Sequence, residues 1–340
     1  MLLSDFDYEL PDEAIAQTPL EPRDASRLLV DRGDAPPEHS TVARLADELR
    51  PGDVMVVNDT RVLAARLDLV KSTGGAAEVF LLEPFGDGSW QALVRPGRRL
   101  PPGTEVRGAT DDRLRVVVGE HLDGGRRRVQ IDLGGQDIGD VTQAVELDGV
   151  GSTPLPPYIT ERLDDPDRYQ TVFARNPGSV AAPTAGLHLT ERLIDAVVAK
   201  GVTLHRVELV VGLDTFRPVM VDDLDDHVMH SEAYRVPEST MTACAAADRV
   251  LAVGTTTTRA LESAAARGEL EGRTDLFIRD GFDWKVVDLM MTNFHMPKST
   301  LLVMIDAFIG GRWRSHYAAA LAEGYRFLSF GDAMLLDRHA

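Results

Sequence analysis

Between residues 66 and 150 the apolar positions fall in short β-rich runs, at 78–82, 90–94, 114–118 and 127–131, separated by Gly, Asp and Pro turns. Such spacing predicts a small antiparallel barrel or sandwich. The flanks follow a different pattern. Residues 40–50 read as a helix capped by Ser40 and stopped by Pro51-Gly52, with a strand at 54–57 after it. Thr190 caps a helix to Lys200 that ends at Gly201, and residues 202–211 follow as a strand. Val250–Val253 is a short strand before a helix at 257–266, and further helices span 301–309 and 312–322. The pattern predicts an α/β protein: a large domain from residues 1–65 and 151–340, interrupted by a small β domain at 66–150.

Two strings break the usual grammar of a core. Met291-Thr292-Asn293-Phe294-His295-Met296-Pro297-Lys298-Ser299-Thr300 and Tyr325-Arg326-Phe327-Leu328-Ser329-Phe330-Gly331-Asp332 mix polar, aromatic and turn-forming residues where aliphatic ones are expected. The first opens a helix, whose terminal N–H groups suit an anion or a polar ligand. Residues 151–186 form a long connection ending in small residues, including Thr184 and Gly186, which let a backbone approach a ligand closely. No dinucleotide or phosphate-loop pattern and no G-x-S-x-G nucleophile motif occurs.

Other candidates carry two readings each. Asn58-Asp59-Thr60-Arg61 follows a strand and is either a capped turn or part of a site at the strand end. His188 is a base, a ligand contact or a structural histidine. His227-x-x-His230-Ser231-Glu232 invites a metal, but the spacing is not H-E-x-x-H and no cysteines complete a zinc set. Acid–base work or hydrogen bonding fits it better, and no metal is expected. Gly254-Thr255-Thr256-Thr257-Thr258-Arg259 is a helix start rich in hydroxyls, read as capping or as a ribose or carboxylate contact. Arg259 and Arg326 can each pair with a carboxylate.

The net charge of −18 argues against bulk affinity for nucleic acid. Residues 95–128, however, hold nine arginines against five acids. They form either a solvated strand-and-turn surface or a basic platform for a phosphate backbone. The one cysteine cannot form an internal disulfide, no apolar run approaches a membrane span of about 20 residues, and Met1-Leu2-Leu3 runs straight into Asp5 and Asp7. A cytoplasmic enzyme is the simplest expectation.

Taken in order, the strings Pro19-Leu20-Glu21-Pro22-Arg23-Asp24, Asn58-Asp59-Thr60-Arg61-Val62, Pro154-Leu155-Pro156-Pro157-Tyr158, Ala182-Pro183-Thr184-Ala185-Gly186-Leu187-His188, His227-Val228-Met229-His230-Ser231-Glu232 and Thr292-Asn293-Phe294-His295 resemble the S-adenosylmethionine:tRNA ribosyltransferase-isomerase family of queuosine biosynthesis. The resemblance spans nearly the whole chain. It implies an α/β domain carrying an inserted small antiparallel β-barrel. It also implies a reaction in which the ribosyl group of S-adenosylmethionine is transferred to 7-aminomethyl-7-deazaguanine at the tRNA wobble position and rearranged, giving epoxyqueuosine, adenine and methionine. S-adenosylmethionine is then a substrate, tRNA carrying that base the partner, and a monomer the family-like expectation.

Such chemistry needs a base at C5′ and an acid for departing adenine. The candidates for proton transfer are His188, His230, Glu232 and His295. Substrate-positioning candidates are Asn58, Asp59, Arg61, Thr184, Gly186, Thr256, Arg259, Asn293, Lys298, Arg326 and Asp332, with Phe173 and Phe294 as aromatic neighbours of the sulfonium. The tRNA platform would use Arg95, Arg98, Arg99, Arg126, Arg127 and Arg128. Val210 and Asp214 depart from the family's histidine and glycine, Leu289 from a glycine and Asp306 from a small residue. Asp214 could do the work of the missing histidine. The alternatives are a diverged homologue acting on another base or nucleoside, and a non-catalytic RNA-binding protein.

Overall fold

The computed structural model describes residues 1–212, 219 and 221–340. Four strands precede the insertion: β1 (Arg27–Val30), β2 (Glu38–Thr41), β3 (Val54–Asn58) and β4 (Thr60–Val62). The insertion holds β5 (Arg66–Lys71), β6 (Ala76–Pro84), β7 (Trp90–Arg95), β8 (Thr104–Gly108), β9 (Leu114–His121), β10 (Arg126–Leu133) and β11 (Gln136–Asp137). After it come β12 (Asn176–Ser179), β13 (Thr203–Leu209), β14 (Glu232–Arg235), β15 (Val250–Val253), β16 (Glu271–Thr274), β17 (Leu289–Asn293) and β18 (Ala333–Asp337).

A nine-stranded sheet runs β16-β14-β13-β3-β15-β17-β18-β1-β2. Its central strands β13, β3, β15 and β17 are mutually parallel. They are covered on both faces, which explains why residues 54–57 of β3 and all of β15 are apolar runs in which every residue is buried. Helices α1 (Leu45–Glu48) and α2 (Glu191–Ala199) pack Leu45, Leu193 and Val197 on one face. Helices α4 (Thr255–Arg267), α5 (Thr300–Ile309) and α6 (Trp313–Ala322) cover the other with Leu261, Ile305 and Trp313, and α3 (Glu238–Ala246) contributes Cys244. The cap expected at Thr190 is present, its side chain accepting from the Leu193 N–H at 3.2 Å, and Ser299 caps α5 by accepting from the Leu302 N–H at 3.3 Å.

The insertion is a barrel. Strands β10-β7-β6-β5-β8-β9 pair in that order, and β9 pairs with β10 to close the ring. Closure leaves no open edge. Leu67, Leu69, Val79, Leu81, Val116 and Val118 fill the inside, and the Trp90 indole N–H donates to the Ile138 carbonyl at 2.7 Å. The four runs read from the sequence fall in β6, β7, β9 and β10. Strands β5 and β8 escaped notice because neither is a continuous apolar run: β8 turns only one large apolar residue, Val106, inward, and β5 alternates buried Leu67 and Leu69 with exposed Asp68.

The helix expected at 40–50 is corrected. Ser40 lies in β2, opposite Leu28 of β1, and only Leu45–Glu48 is α-helical. Pairing with β1 overrides the local cap signal. The barrel meets the sheet domain through Arg61–Asp148 at 2.6 Å, Arg273–Glu83 at 3.2 Å and the Ser152 N–H to the Arg66 carbonyl at 2.8 Å.

Candidate active site

Parallel strands deliver their carboxyl ends to one edge of the sheet, where open α/β sheets bind ligands. Here that edge gathers Asn58 and Asp59 at the end of β3, Gly254 and Thr255 after β15, and Asn293 to His295 at the end of β17. Strand β14 runs antiparallel to β13, so Glu232 comes to the same edge, and so does Asp332 just before β18.

The centre of the edge is a hydrogen-bond chain. The short 3₁₀ segment Thr184–His188 lies across the end of β17. Thr184 Oγ1 donates to Asn293 Oδ1 at 3.1 Å. The Asn293 amide then donates to the Leu328 carbonyl at 3.2 Å and to His188 Nε2 at 3.0 Å. A carbonyl can only accept, so the amide orientation follows, and His188 Nε2 must be an acceptor with its proton on Nδ1. His188 is buried; desolvation, with help from the Arg326 charge, pushes its pKa down to about 4. It is neutral at pH 7. His295 is lowered by burial to about 3, shares a 2.9 Å bond with Thr292 Oγ1, and accepts at its carbonyl from the Tyr8 hydroxyl.

The flank of the edge holds a buried ion pair. The Arg259 guanidinium bonds Glu232, whose other oxygen accepts the Gly212 N–H at 3.2 Å. His230 sits next door but exposed. Asp214 lies outside the described residues. Among those described, no group of three or more His, Cys, Asp and Glu side chains stands in a metal-holding arrangement.

Several candidates have structural partners. Asn58 stitches β3 to β13, donating to the Leu209 carbonyl and accepting the Leu209 and Thr60 N–H groups. Asp332 accepts the Arg27 and Arg326 N–H groups at 2.8 Å each, while the Arg326 guanidinium bonds the Thr18 and Phe330 carbonyls. Lys298 pairs with Asp7 at 2.7 Å, and Arg61 with Asp148. Phe294 sits fully buried among Tyr317, Tyr325 and Phe327. Phe173 packs over Gly186, where a Cβ would come within 2.8 Å of the ring. Of the family departures, Leu289 is core, Asp306 accepts the Trp313 indole N–H at 2.8 Å, and Val210 faces Gly178.

Two groups retain unmet demands. Asp59 is buried beside Asn176 at 3.2 Å and Arg206 at 3.9 Å, and burial raises its carboxyl pKa. The Thr256 hydroxyl, in the first turn of α4, is shielded and has no hydrogen-bond partner among the described residues.

The arginine platform changes character in three dimensions. Arg127 is 2% exposed and its guanidinium binds the carbonyls of Gly97, Leu100 and Gly119, so burial removes it from any surface. Arg128 pairs with Asp87 and Glu120, and Arg126 bonds Gln91 at 3.2 Å. Arg95, Arg98 and Arg99 remain exposed.

Arg23, Arg168, Ser26 and Ser329 were not among the sequence candidates, yet with His188 they line a pocket at this edge. Arg23 lies in a string that carried the family resemblance and Ser329 in one of the two strings that break the grammar of a core, but nothing in the sequence marked the four as neighbours.

The profile of the family described as queuosine biosynthesis protein matches residues 3–336. A protein of Symbiobacterium thermophilum named S-adenosylmethionine:tRNA ribosyltransferase-isomerase is 48% identical across 99% of this chain and 100% of its own length. One of Rubrobacter xylanophilus with the same name is 48% identical across 99% of this chain and 98% of its own. A crystal structure of an S-adenosylmethionine tRNA ribosyltransferase from Thermotoga maritima, 36% identical, covers 98% of this chain and 99% of that one, with a TM-score of 0.55.

Proposed function

The chain belongs to the queuosine biosynthesis protein family, and from that premise we propose that it transfers and isomerises the ribosyl group of S-adenosylmethionine onto 7-aminomethyl-7-deazaguanine at the tRNA wobble position. The products are epoxyqueuosine-tRNA, adenine and methionine. The observation that carries this reading is the 48% identity, over nearly the full length, to two proteins named for that activity.

The edge of the sheet supplies groups suited to the task. The sulfonium acidifies the C5′ protons, and a base must take one; adenine leaves more easily when protonated. Asp59, whose proton affinity burial has raised, is the carboxylate suited to that base, while Glu232 is held by Arg259 and the Gly212 N–H beside it at the same edge. His188 is neutral at pH 7, and its Nε2 lone pair is engaged by Asn293. Its part is therefore to present the Nδ1–H as a donor rather than to abstract a proton. Thr184 and Asn293 hold that tautomer in place. The acceptor base brings its own amine nucleophile.

tRNA would approach over the barrel face that carries Arg95, Arg98 and Arg99. The reading places the enzyme in the cytoplasm and draws every named group from one chain. Among the described residues no helix is long and apolar enough to cross a membrane.

The test is incubation of the purified protein with S-adenosylmethionine and tRNA carrying the 7-aminomethyl-7-deazaguanine base, with nucleosides and small products analysed by mass spectrometry. Epoxyqueuosine with stoichiometric adenine and methionine is the expected outcome. Bound S-adenosylmethionine without product would move the reading to a diverged transferase with another acceptor.

A further inference from the structure

Beside the Thr184–Asn293–His188 chain lies an open pocket whose polar lining comes from Arg23, Arg168, Ser26, His188 and Ser329, with Phe330 as an apolar wall. The lining is one-sided in chemistry. It contains two guanidinium groups, two hydroxyls and an imidazole N–H, and no carboxylate. Acids stand outside the lining: largely exposed Glu21 pairs with Arg168 Nε at 2.6 Å, Asp165 and Asp167 lend their charge to Arg23, and Asp24 is taken by Thr190 at 2.9 Å and Arg192 at 2.6 Å.

The arginines are fixed rather than waving. Arg23 donates to the Gln170 and Asp167 carbonyls, and Arg168 donates to the Leu20 carbonyl at 2.6 Å while pairing with Glu21. Each therefore anchors the other's segment, residues 20–23 against residues 167–170. A guanidinium has five N–H donors, and each arginine uses only two of its nitrogens in these contacts. The remaining donors, together with His188 Nδ1–H, have no protein acceptor among the described residues. Ser26 and Ser329 are buried, and Ser329 shares a 2.7 Å bond with the Tyr158 hydroxyl, which sets its orientation.

We propose that this pocket is an oxyanion subsite, in which Arg23, Arg168 and the His188 N–H together hold a carboxylate or a phosphate of a substrate. The proposal rests on the reaction proposed above, which offers two sources of that chemistry: the carboxylate on the methionine portion of S-adenosylmethionine, and a phosphodiester of the tRNA. Preplaced arginine donors bind either group by charge-assisted, often bidentate hydrogen bonds. The subsite also gives His188 its place: the ring's Nε2 faces the fixed amide and its proton faces the bound anion.

Three probes decide it, each titrated against the wild type and the Arg168→Gln and Arg23→Gln variants: S-adenosylmethionine, its decarboxylated analogue, and a tRNA transcript across a range of salt. If the anion is the amino-acid carboxylate, the intact wild type binds the decarboxylated analogue about tenfold or more weakly than S-adenosylmethionine, the size expected for losing a charge-assisted contact. Arg168→Gln then costs S-adenosylmethionine a similar factor and the analogue almost nothing. If the anion is a phosphate, the same variant leaves both small ligands unchanged and lowers the salt slope of tRNA binding by about one unit. The comparison of two ligands on the unaltered protein does not depend on how well the variants fold. Failure of the wild type to bind S-adenosylmethionine would sink the reaction reading alone, with the tRNA arm still deciding the subsite. No Arg168-dependent binding of any of the three probes would overturn the subsite.

Discussion

At the carboxyl edge of the nine-stranded sheet, Glu232 and Arg259 meet in the interior and His188 and His295 are kept neutral by burial. On the barrel, Arg107, Arg113, Arg115 and Arg128 lie in or near water beside Glu105, Asp111, Asp132 and Asp87. Both regions are rich in charge, but the same residue types cost and contribute very different amounts. Exposed pairs are screened and contribute at most about 1 kcal/mol. A buried charge must be matched by geometry, because its desolvation cost stands whether or not a partner is present. The edge is therefore where a single substitution should be felt, and the barrel surface is where it should be absorbed.

The hardest test of that contrast is Arg259→Ala. It leaves the Glu232 carboxylate buried with the Gly212 N–H as a remaining donor. Loss of about 3–5 kcal/mol in urea unfolding is expected, as for other broken buried pairs. Replacing both members, as Glu232→Gln with Arg259→Met, should recover much of that loss. A single variant with wild-type stability would mean that water reaches the pair and that the edge is no different from the barrel.

Arg127 is the exception on the barrel side, since it is buried there. Arg127→Leu strips hydrogen bonds from the Gly97, Leu100 and Gly119 carbonyls, each worth about 1–3 kcal/mol when left unmet in the interior. A net destabilisation of about 3 kcal/mol is expected, without change in the salt dependence of tRNA binding. A flattened salt slope in a fully folded variant would return Arg127 to the platform.

The neutral histidines give the edge a pH signature. Their folded pKa values, about 4 for His188 and about 3 for His295, lie below the ordinary histidine value of 6.5. The unfolded chain therefore binds more protons below that value, and stability falls as pH falls. The contribution is whole above pH 6.5 and is lost toward the folded pKa, at up to about 1.4 kcal/mol per pH unit for each ring. Between pH 7 and pH 5 the wild type should lose about 2 kcal/mol more than His188→Gln. Parallel stability–pH curves for the two proteins would show that the ring is hydrated and charges freely.

Much of this was legible in the sequence, and the gaps have causes. The helix start at Thr190, the helix at 301–309, the strand Val250–Val253 and the insertion with four of its strands follow from local signals: a cap, a period, a turn. The edge strings around Asn293 and Asp332 stood out because polar residues interrupt apolar runs. What local pattern cannot show is which neighbour arrives from afar. Ser40 reads as a cap until β1 claims it, Phe294 reads as a ligand face until Tyr317 and Phe327 enclose it, and Arg127 reads as surface until the barrel closes. The pocket depends on Arg23 and Arg168 meeting across the chain, which no spacing announces.

The smallest effects should come from the exposed side of the comparison. Arg98→Ser with Arg99→Ser removes two exposed guanidiniums, so stability should stay within about 0.5 kcal/mol. If both contact phosphate, the slope of log affinity against log salt should fall by about 1.8, at about 0.9 per contact. Arg128→Ser is the companion measurement. Its guanidinium already lies between Asp87 and Glu120, so to reach a phosphate it must first give up both acids. It should change the slope by less than either exposed arginine. Equal changes at Arg98, Arg99 and Arg128 would show that the surface pairs exchange for phosphate on binding. The arginine count along the chain, rather than the pairing seen in the fold, would then be the better guide to where tRNA lies.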